Sequence, residues 1–396
     1  MRPWLALLFS CAATPALAES ECTDCTGSDA LSVEAIYTAE TWRNFSGGAA
    51  QGNRYLDNLD LTVNLDGARF GAPGLQIFGY LLYNNGHSIS DLTNVAQGTS
   101  NIESSRAVRL YELWTQWQFG EGDNSVKFGL YDLNSEFDSI ETSGLFINPS
   151  HGIGADFAQT GENGPSIFPT TSLGVRALKS FDAWTVQAAV LDGVPGDVDR
   201  PDRSGIHLSS DEGALVVGEL NYRTESGARF GGGYWRYTAQ FDDLTATDVA
   251  GEPAQRNDNA GHYLIAESPL LFSEGEDLGT RLFARTGVAN DHINAIRRYY
   301  GAGIARTGVG SRAADQVGFA IAVAELGDPF RQAEALAGTE TTRREYNYEL
   351  TYRSEITDWL ALQMDLQYVD NPGMTPFVES DWAVGLRLEV GSSWAW

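Results

Sequence analysis

The chain has 396 residues and a formal net charge of −27 at pH 7, with 53 acidic residues against 26 Lys and Arg. This balance argues against a nucleic-acid partner, because binding to phosphates depends on clustered cations. After Ala18 there is no run of 18 or more apolar residues, which argues against membrane-spanning helices. Two classes remain: a secreted soluble β-protein and a transmembrane β-barrel, whose alternating strands leave the mean hydropathy low.

The first 18 residues have the features of a secretory signal peptide. Arg2 precedes an apolar run at 4–9, and Ala16-Leu17-Ala18 forms a cleavage site before Glu19. Residues 19–32 are predicted to be a flexible periplasmic leader that contains Cys22 and Cys25. A lone Cys-x-x-Cys, with no further ligands and no thioredoxin-like context, favours a local disulfide or an inert pair. Residues 33–396 then form a single domain.

From residue 33 onward, amphipathic segments of about ten residues recur between turns. In the segment 55–66, Leu59, Leu61 and Val63 alternate with polar residues, and the segment 360–368 repeats the pattern. A period of two indicates a strand with two different faces. The predicted strands, about sixteen in number, lie near 33–43, 55–66, 75–83, 108–119, 125–132, 172–179, 183–192, 214–223, 227–240, 260–268, 279–288, 293–304, 316–326, 343–353, 358–369 and 381–396. The residues expected to face lipid include Leu59, Leu61, Val63, Leu360, Leu362, Leu366, Leu386 and Leu388.

The connections alternate in length, as they do in bacterial barrels that have both termini on the periplasmic side. Counted from a periplasmic amino terminus, the inner turns are short, whereas most outer loops are long; the turn 290–292 is the exception. The third outer loop, about 133–171, is the longest. A wide barrel would leave an open channel, and a loop of this length is usually functional or disordered. Six apolar anchors favour an ordered loop folded into the lumen: Leu145, Phe146, Ile147, Phe157, Ile167 and Phe168.

Several motifs that are specific enough to suggest a family lie in and around this loop: RLYELW at 109–114, FGLYDL at 128–133, FINPSHG at 146–152, FPTTSLGVR at 168–176 and VLDGVPGD at 190–197. Together they resemble the carbohydrate-selective porins of bacterial outer membranes, the OprB family. The final amphipathic strand, which ends in Trp396, resembles the closing strand of an outer-membrane barrel. The resemblance implies an integral outer-membrane porin, a sixteen-stranded all-β barrel, that admits monosaccharides or similar small polyols.

A sugar-selective constriction needs charged hydrogen-bonding groups and an aromatic face. Strand parity places these residues in the channel constriction: Glu112, Trp114, Gln116, Lys127, Arg176, Arg281 and Arg285. Tyr131 also faces the lumen by parity, and the far wall contributes Glu349, Gln363, Asp365 and Arg387. The constriction loop contributes Phe146, Asn148 and His151 and is expected to narrow the channel against Glu112, Trp114 and Arg176. Arg109 shares the predicted outward parity of Tyr111 and is therefore left out.

Other functions have weaker support from the sequence. None of the five histidines lies in a G-x-S-x-G or H-E-x-x-H motif, so no enzyme is predicted. Asp197, Asp199 and Asp202 could bind Ca²⁺ in an outer loop, but Asp-rich loops are usually just solvated, and no metal or cofactor is predicted. The alternatives are a general non-selective porin and a plugged surface or adhesive barrel. Expected partners are small sugars, outer-membrane lipid, the barrel assembly machinery through Trp396, and a homotrimer.

Overall fold

The structure is a computed structural model that describes residues 30–396 except 121, 198–199, 201–205, 207, 210 and 273–277. The predicted signal peptide, Cys22, Cys25, Asp199 and Asp202 lie outside the described residues. Among the residues described, no helix is both long and apolar enough to cross a membrane.

Sixteen antiparallel strands close into one barrel, as the sequence predicts, and two further strands pair with each other in an outer loop. In chain order the strands are β1 (Leu31–Ser46), β2 (Gly52–Asp66), β3 (Leu75–Gly86), β4 (Ala107–Gln118), β5 (Ser125–Tyr131), β6 (Ser172–Phe181), β7 (Trp184–Asp192), β8 (Ala214–Arg223), β9 (Arg229–Tyr237), the outer hairpin strands β10 (Phe241–Thr247) and β11 (Pro253–Arg256), β12 (Ala260–Phe272), β13 (Gly279–Ala289), β14 (Ile296–Val309), β15 (Arg312–Leu326), β16 (Arg344–Thr357), β17 (Leu360–Asp370) and β18 (Asp381–Ala395). The barrel closes where β1 pairs with β18, from Ser32 opposite Ala395 to Ser46 opposite Trp382. A closed sheet leaves no unpaired edge, as a bilayer requires.

The alternation along each strand separates a lumen face from a lipid face. On β18, Ala383 and Arg387 are buried inside, whereas Val384 is 41% and Leu386 is 44% exposed on the outside. The leucines predicted to face lipid all follow this outward parity, and none is buried. Apolar side chains on the outside are stable because the surrounding solvent is hydrocarbon rather than water.

The connections confirm the predicted asymmetry, with long outer loops at 87–106, 132–171, 193–213, 238–259 and 327–343. The first and sixth outer loops, 47–51 and 290–295, are short. The helices are α1 (Ser90–Thr93), α2 (Ala155–Ala158) and α3 (Asp328–Ala337), and single 3₁₀ turns span Gly67–Phe70, Leu133–Ser135, Glu141–Leu145, Pro149–His151 and Pro372–Met374.

A β-bulge on β4 overturns one part of the strand-parity prediction. The pairing with β3 shifts between Tyr80 and Leu81, so Tyr111 is an extra residue on β4. A bulge inserts one residue and thereby reverses the parity of everything beyond it. Arg109 and Tyr111, predicted to point outward, are both 2% exposed. Arg109 donates a hydrogen bond to Asn84 Oδ1 at 3.2 Å.

Candidate functional site

The third outer loop, residues 132–171, folds into the lumen and forms a hydrophobic core with the barrel wall. The six apolar anchors singled out in the sequence are each at most 8% exposed. The Phe157 ring stacks on Trp235 of β9, with centroids 4.9 Å apart and planes at 3°. The loop is thus held inward mainly by the burial of apolar side chains. Moving it out would expose these side chains to water, which costs free energy.

The wall that receives this loop is lined with small residues, which leave room for it. Phe146 packs on Gly318 of β15, where an added Cβ would lie 2.7 Å from its ring. Phe146 also contacts Phe283 of β13, with ring centroids 5.7 Å apart. Larger side chains on these strands would therefore push the loop towards the centre of the channel.

Backbone groups in the middle of the loop are hydrogen-bonded to the far wall. Glu349 of β16 accepts hydrogen bonds from the backbone N–H groups of Ile147 and Asn148, the latter at 3.0 Å. Gln363 of β17 donates to the Leu145 carbonyl at 2.7 Å. The prediction that the segment 146–152 narrows the channel against Glu112, Trp114 and Arg176 is therefore wrong: this segment lies on the opposite wall.

His151 does not face the channel either. It is 3% exposed, and its ring lies 5.1 Å from that of Phe146 and 6.0 Å from that of Phe283. Among the described residues neither ring nitrogen has a hydrogen-bond partner, and Nε2 is 3.7 Å from Glu349. Burial lowers the pKa of His151 to about 3, so the imidazole is neutral. Phe146 and Asn148, each 1% exposed, are likewise buried rather than presented to a solute.

Arg285 of β13 holds the two ends of the loop's central part together. Its Nη2 donates to Asp138 Oδ2 at 2.6 Å and its Nε to Asp138 Oδ1 at 3.0 Å, and the third nitrogen, Nη1, donates to Asp156. Tyr299 of β14 lies beneath it, with the ring centroid 5.0 Å from the guanidinium carbon. Arg285 is 5% exposed, so the structure assigns it to the anchoring of the loop, whereas the sequence placed it in the solute path.

The second outer loop, residues 87–106, also folds inward, which the sequence analysis did not predict. Ile89, Leu92 and Ile102 are buried against Trp42 of β1. Arg387 of β18 joins this loop to the wall through Asn101 and through an ion pair with Glu40. The apolar residues Ile89, Leu92 and Ile102 in this otherwise polar loop are the sequence feature that could have predicted its inward fold.

The residues predicted on β4, β5 and β6 do come together, around a loop carboxylate that the prediction omitted. Glu136 lies 2.9 Å from Lys127 Nζ and pairs with Arg176. Arg176 also donates to Gln116 Oε1 at 2.8 Å and to Ser125 Oγ at 2.6 Å. Burial raises the pKa of Glu136, but Lys127 and Arg176 outweigh it and hold the pKa below its usual value. The carboxylate is thus charged between two cations.

Trp114 and Glu112 complete this group, which we call the Glu136 cluster: Glu112, Trp114, Gln116, Lys127, Glu136 and Arg176. The indole N–H of Trp114 donates to Glu112 Oε2 at 3.1 Å. Phe78 of β3 stacks on Trp114 at 4.9 Å, and Lys127 Nζ lies 4.1 Å from the ring centroid. Trp114 is half-buried, so part of its ring surface is already occupied by protein.

Arg281 is placed apart from this cluster, on β13. Its guanidinium is 4.0 Å from Glu141 of the third loop, with side chains 32% and 67% exposed. This pair is open to water and resembles the mixed-charge lining that sequence parity predicted. Tyr131, by contrast, is fully buried, and the far-wall residues Glu349, Gln363, Asp365 and Arg387 all face inward but are at most 3% exposed.

Metal-ligand geometry gives no support to a cation site in the part of the chain that the structure describes. No group of three or more His, Cys, Asp or Glu side chains is placed to hold a metal ion there. Of the three aspartates considered for Ca²⁺, Asp197 alone lies within this part, 3.9 Å from Arg200.

A closed barrel with apolar residues outside and a long outer loop inside the lumen defines a porin of the bacterial outer membrane. The chain belongs to the carbohydrate-selective porin family, OprB, which matches residues 50–391. It is therefore a carbohydrate porin, as the sequence motifs indicated.

Individual relatives agree with this assignment. Porin B of Pseudomonas aeruginosa is 25% identical, over 89% of this chain and 86% of that protein. The high-pH structure of Pseudomonas putida OprB has a TM-score of 0.81 and 21% identity, over 92% of this chain and 94% of its own. The trimer form of Vibrio cholerae OmpT has a TM-score of 0.52 and 10% identity, over 92% and 100% of the two chains. At these low sequence identities, the similarity to the two solved structures shows a shared fold.

Proposed function

We propose that this porin lets small neutral carbohydrates, monosaccharides or similar polyols, diffuse passively past the Glu136 cluster. The observation that carries the proposal is the contact between Glu136 of the third loop and the two wall cations, Lys127 and Arg176. This contact holds Glu136 of the loop against β5 and β6, across the lumen from the segment 146–152.

The cluster has the chemistry that a hydrated sugar can use. Glu136 and Gln116 are only partly buried and can give directional hydrogen bonds to hydroxyls, and the half-buried Trp114 offers an apolar surface with a polar edge. Lys127 and Arg176 are at most 5% exposed and hold Glu136 in place. Opposite charges that already satisfy one another bind a neutral solute weakly. Weak binding suits a channel, since a solute must leave as readily as it enters.

Single-channel conductance with added D-glucose tests this. Wild-type barrels should show current that glucose blocks, and Lys127→Met should reduce the block about tenfold, equivalent to one lost charged hydrogen bond of about 1.4 kcal/mol. Lys179→Met is the matched control, because Lys179 is exposed on the outward face of β6. Current without glucose block in the wild type would indicate a general porin, and no current a plugged barrel.

The remaining assignments are also proposals. Residues 1–18 would be cleaved on export, Trp396 would be recognised by the assembly machinery, and outer-membrane lipid would cover the apolar outer face. The V. cholerae OmpT structure is described as a trimer form, and we propose a homotrimer here. The channel needs no catalytic residue, so we propose no enzymatic role.

A further inference from the structure

Three arginines lie close together at the outer ends of β14 and β16. Arg298 of β14 pairs with Glu325 near the end of β15, and Glu325 pairs with Arg344, the first residue of β16. Arg343 directly precedes Arg344, and its side chain is 41% exposed. Outer loops lead into both strands, so these residues lie on the extracellular side of the barrel. We call Arg298, Arg343 and Arg344 the outer arginine group.

The paired residues of this group point towards the membrane and away from the channel. Tyr299 and Ala324, which are the chain neighbours of Arg298 and Glu325, are buried on the lumen side at 1% and 0% exposure. Side chains alternate between the two faces along a strand. Arg298, Glu325 and their partner Arg344 therefore lie on the outward face.

The polarity of this outward surface changes row by row from the outer end of the strands inward. The next outward row, paired across the same three strands, is the tyrosine row: Tyr300, Val323 and Tyr346. The row after it consists of Ala302, Ile321 and Tyr348. A charged row above tyrosines and then a mainly apolar row is typical of a barrel surface that passes from the lipid headgroups into the hydrocarbon. The arginines thus lie at the level of the outer-leaflet headgroups.

The positive charges of the group are only partly compensated within the chain. Glu325 is 3% exposed and lies 2.6 Å from Arg344 Nε and 2.5 Å from Nη2. Arg343 lies 2.6 Å from Asp328 and 3.9 Å from Glu325. The side chain of Arg298 forms no hydrogen bond or ion pair with any residue that the structure describes. Cations thus outnumber acids here, in a chain that has 53 acidic residues against 26 Lys and Arg.

We propose that the outer arginine group binds a phosphate of an anionic glycolipid headgroup in the outer leaflet. Guanidinium groups present paired N–H donors that match phosphate oxygens. Arg298 and Arg344 are two strands, about 10 Å, apart, so that they flank one headgroup. An arginine at the edge of the hydrocarbon is costly without such an anion. The tyrosine row directly below gives the acyl chains of the same lipid a surface that inorganic phosphate would not use.

The site rests on the lipid contact proposed above and narrows it to one place on the barrel. Native mass spectrometry of the porin in mild detergent tests it, with titrations of diphosphoryl lipid A and of the same lipid without phosphates. The wild type should bind diphosphoryl lipid A about tenfold more tightly than the dephosphorylated lipid, and excess sodium phosphate should not displace it. Arg298→Gln combined with Arg344→Gln should remove this preference for the phosphorylated lipid.

Arg306→Gln is the matched control, because Arg306 is exposed on the outward face at the opposite end of β14. It should bind both lipids as the wild type does. Heat-modifiable gel migration shows whether each barrel is folded. Should the double variant fail to fold, Arg298→Gln alone replaces it, with an expected loss of about fivefold, since its side chain has no partner within the described chain.

Three results would overturn the assignment: equal affinity of the wild type for the two lipids, displacement of lipid A by sodium phosphate, and a double variant that binds like Arg306→Gln. Equal affinity for the two lipids would leave general lipid contact standing while removing the phosphate site. A double variant that loses oligomers but keeps its preference for phosphorylated lipid would assign these arginines to a contact between copies and would also overturn the proposal. Glucose block should be unchanged in all variants, because the group faces away from the channel.

Discussion

Replacing Arg285 with Met should release the middle of the third loop. The guanidinium forms ion pairs with two buried carboxylates, Asp138 and Asp156. Without it, two negative charges are left buried with no cation beside them. Breaking a buried ion pair from one side costs about 3–5 kcal/mol. The free energy of opening the loop locally should fall by a similar amount. A fall of about 3 kcal/mol corresponds to about 150-fold faster hydrogen exchange of the loop amides.

Hydrogen exchange followed by mass spectrometry on loop peptides between 137 and 157 measures this directly, and channel conductance should rise in parallel. Arg353→Met is the matched control, because Arg353 forms its ion pairs with Glu355 and Glu389, away from the loop. Replacing both aspartates by Asn together with Arg285→Met should restore slow exchange. Loop exchange in Arg285→Met that equals the control would refute the idea that this ion pair holds the loop.

Three further outcomes are expected. Trp114→Ala should weaken glucose block of the current about tenfold, for about 1–1.5 kcal/mol of aromatic contact, while the barrel still folds; unchanged block would contradict its place in the site. Deletion of Trp396 should lower outer-membrane yield more than it lowers stability after refolding in detergent, and normal yield would count against it. Burial lowers the pKa of His151 to about 3, so its stabilising effect is present above pH 6.5 and declines as pH falls towards 3. His151→Phe should thus lose about 2 kcal/mol less stability than the wild type between pH 6.5 and pH 4.5, measured as the difference in unfolding midpoint; equal losses in both proteins would exclude it.

Sequence alone was sufficient for the barrel because each strand carries its own two-sided pattern. Leu386 and Leu388 alternate with Gly385 and Arg387, and that alternation dictates which side chains meet lipid whatever the neighbouring strand is. The same logic correctly put Gln116, Lys127 and Arg176 on one wall, since β4, β5 and β6 are adjacent in the sequence and pair in order.

Tertiary structure decided what a local pattern does not encode. The bulge at Tyr111 turns Arg109 inward, and a single extra residue is visible only once β3 and β4 are paired. The third loop touches β4–β6 through Glu136, while Phe146 and His151 pack on the far wall where Gly318 and Phe283 leave a matching surface. Loop residues carry no period, so which of them meets which wall depends on the shape of the closed lumen and on burial of apolar side chains within it.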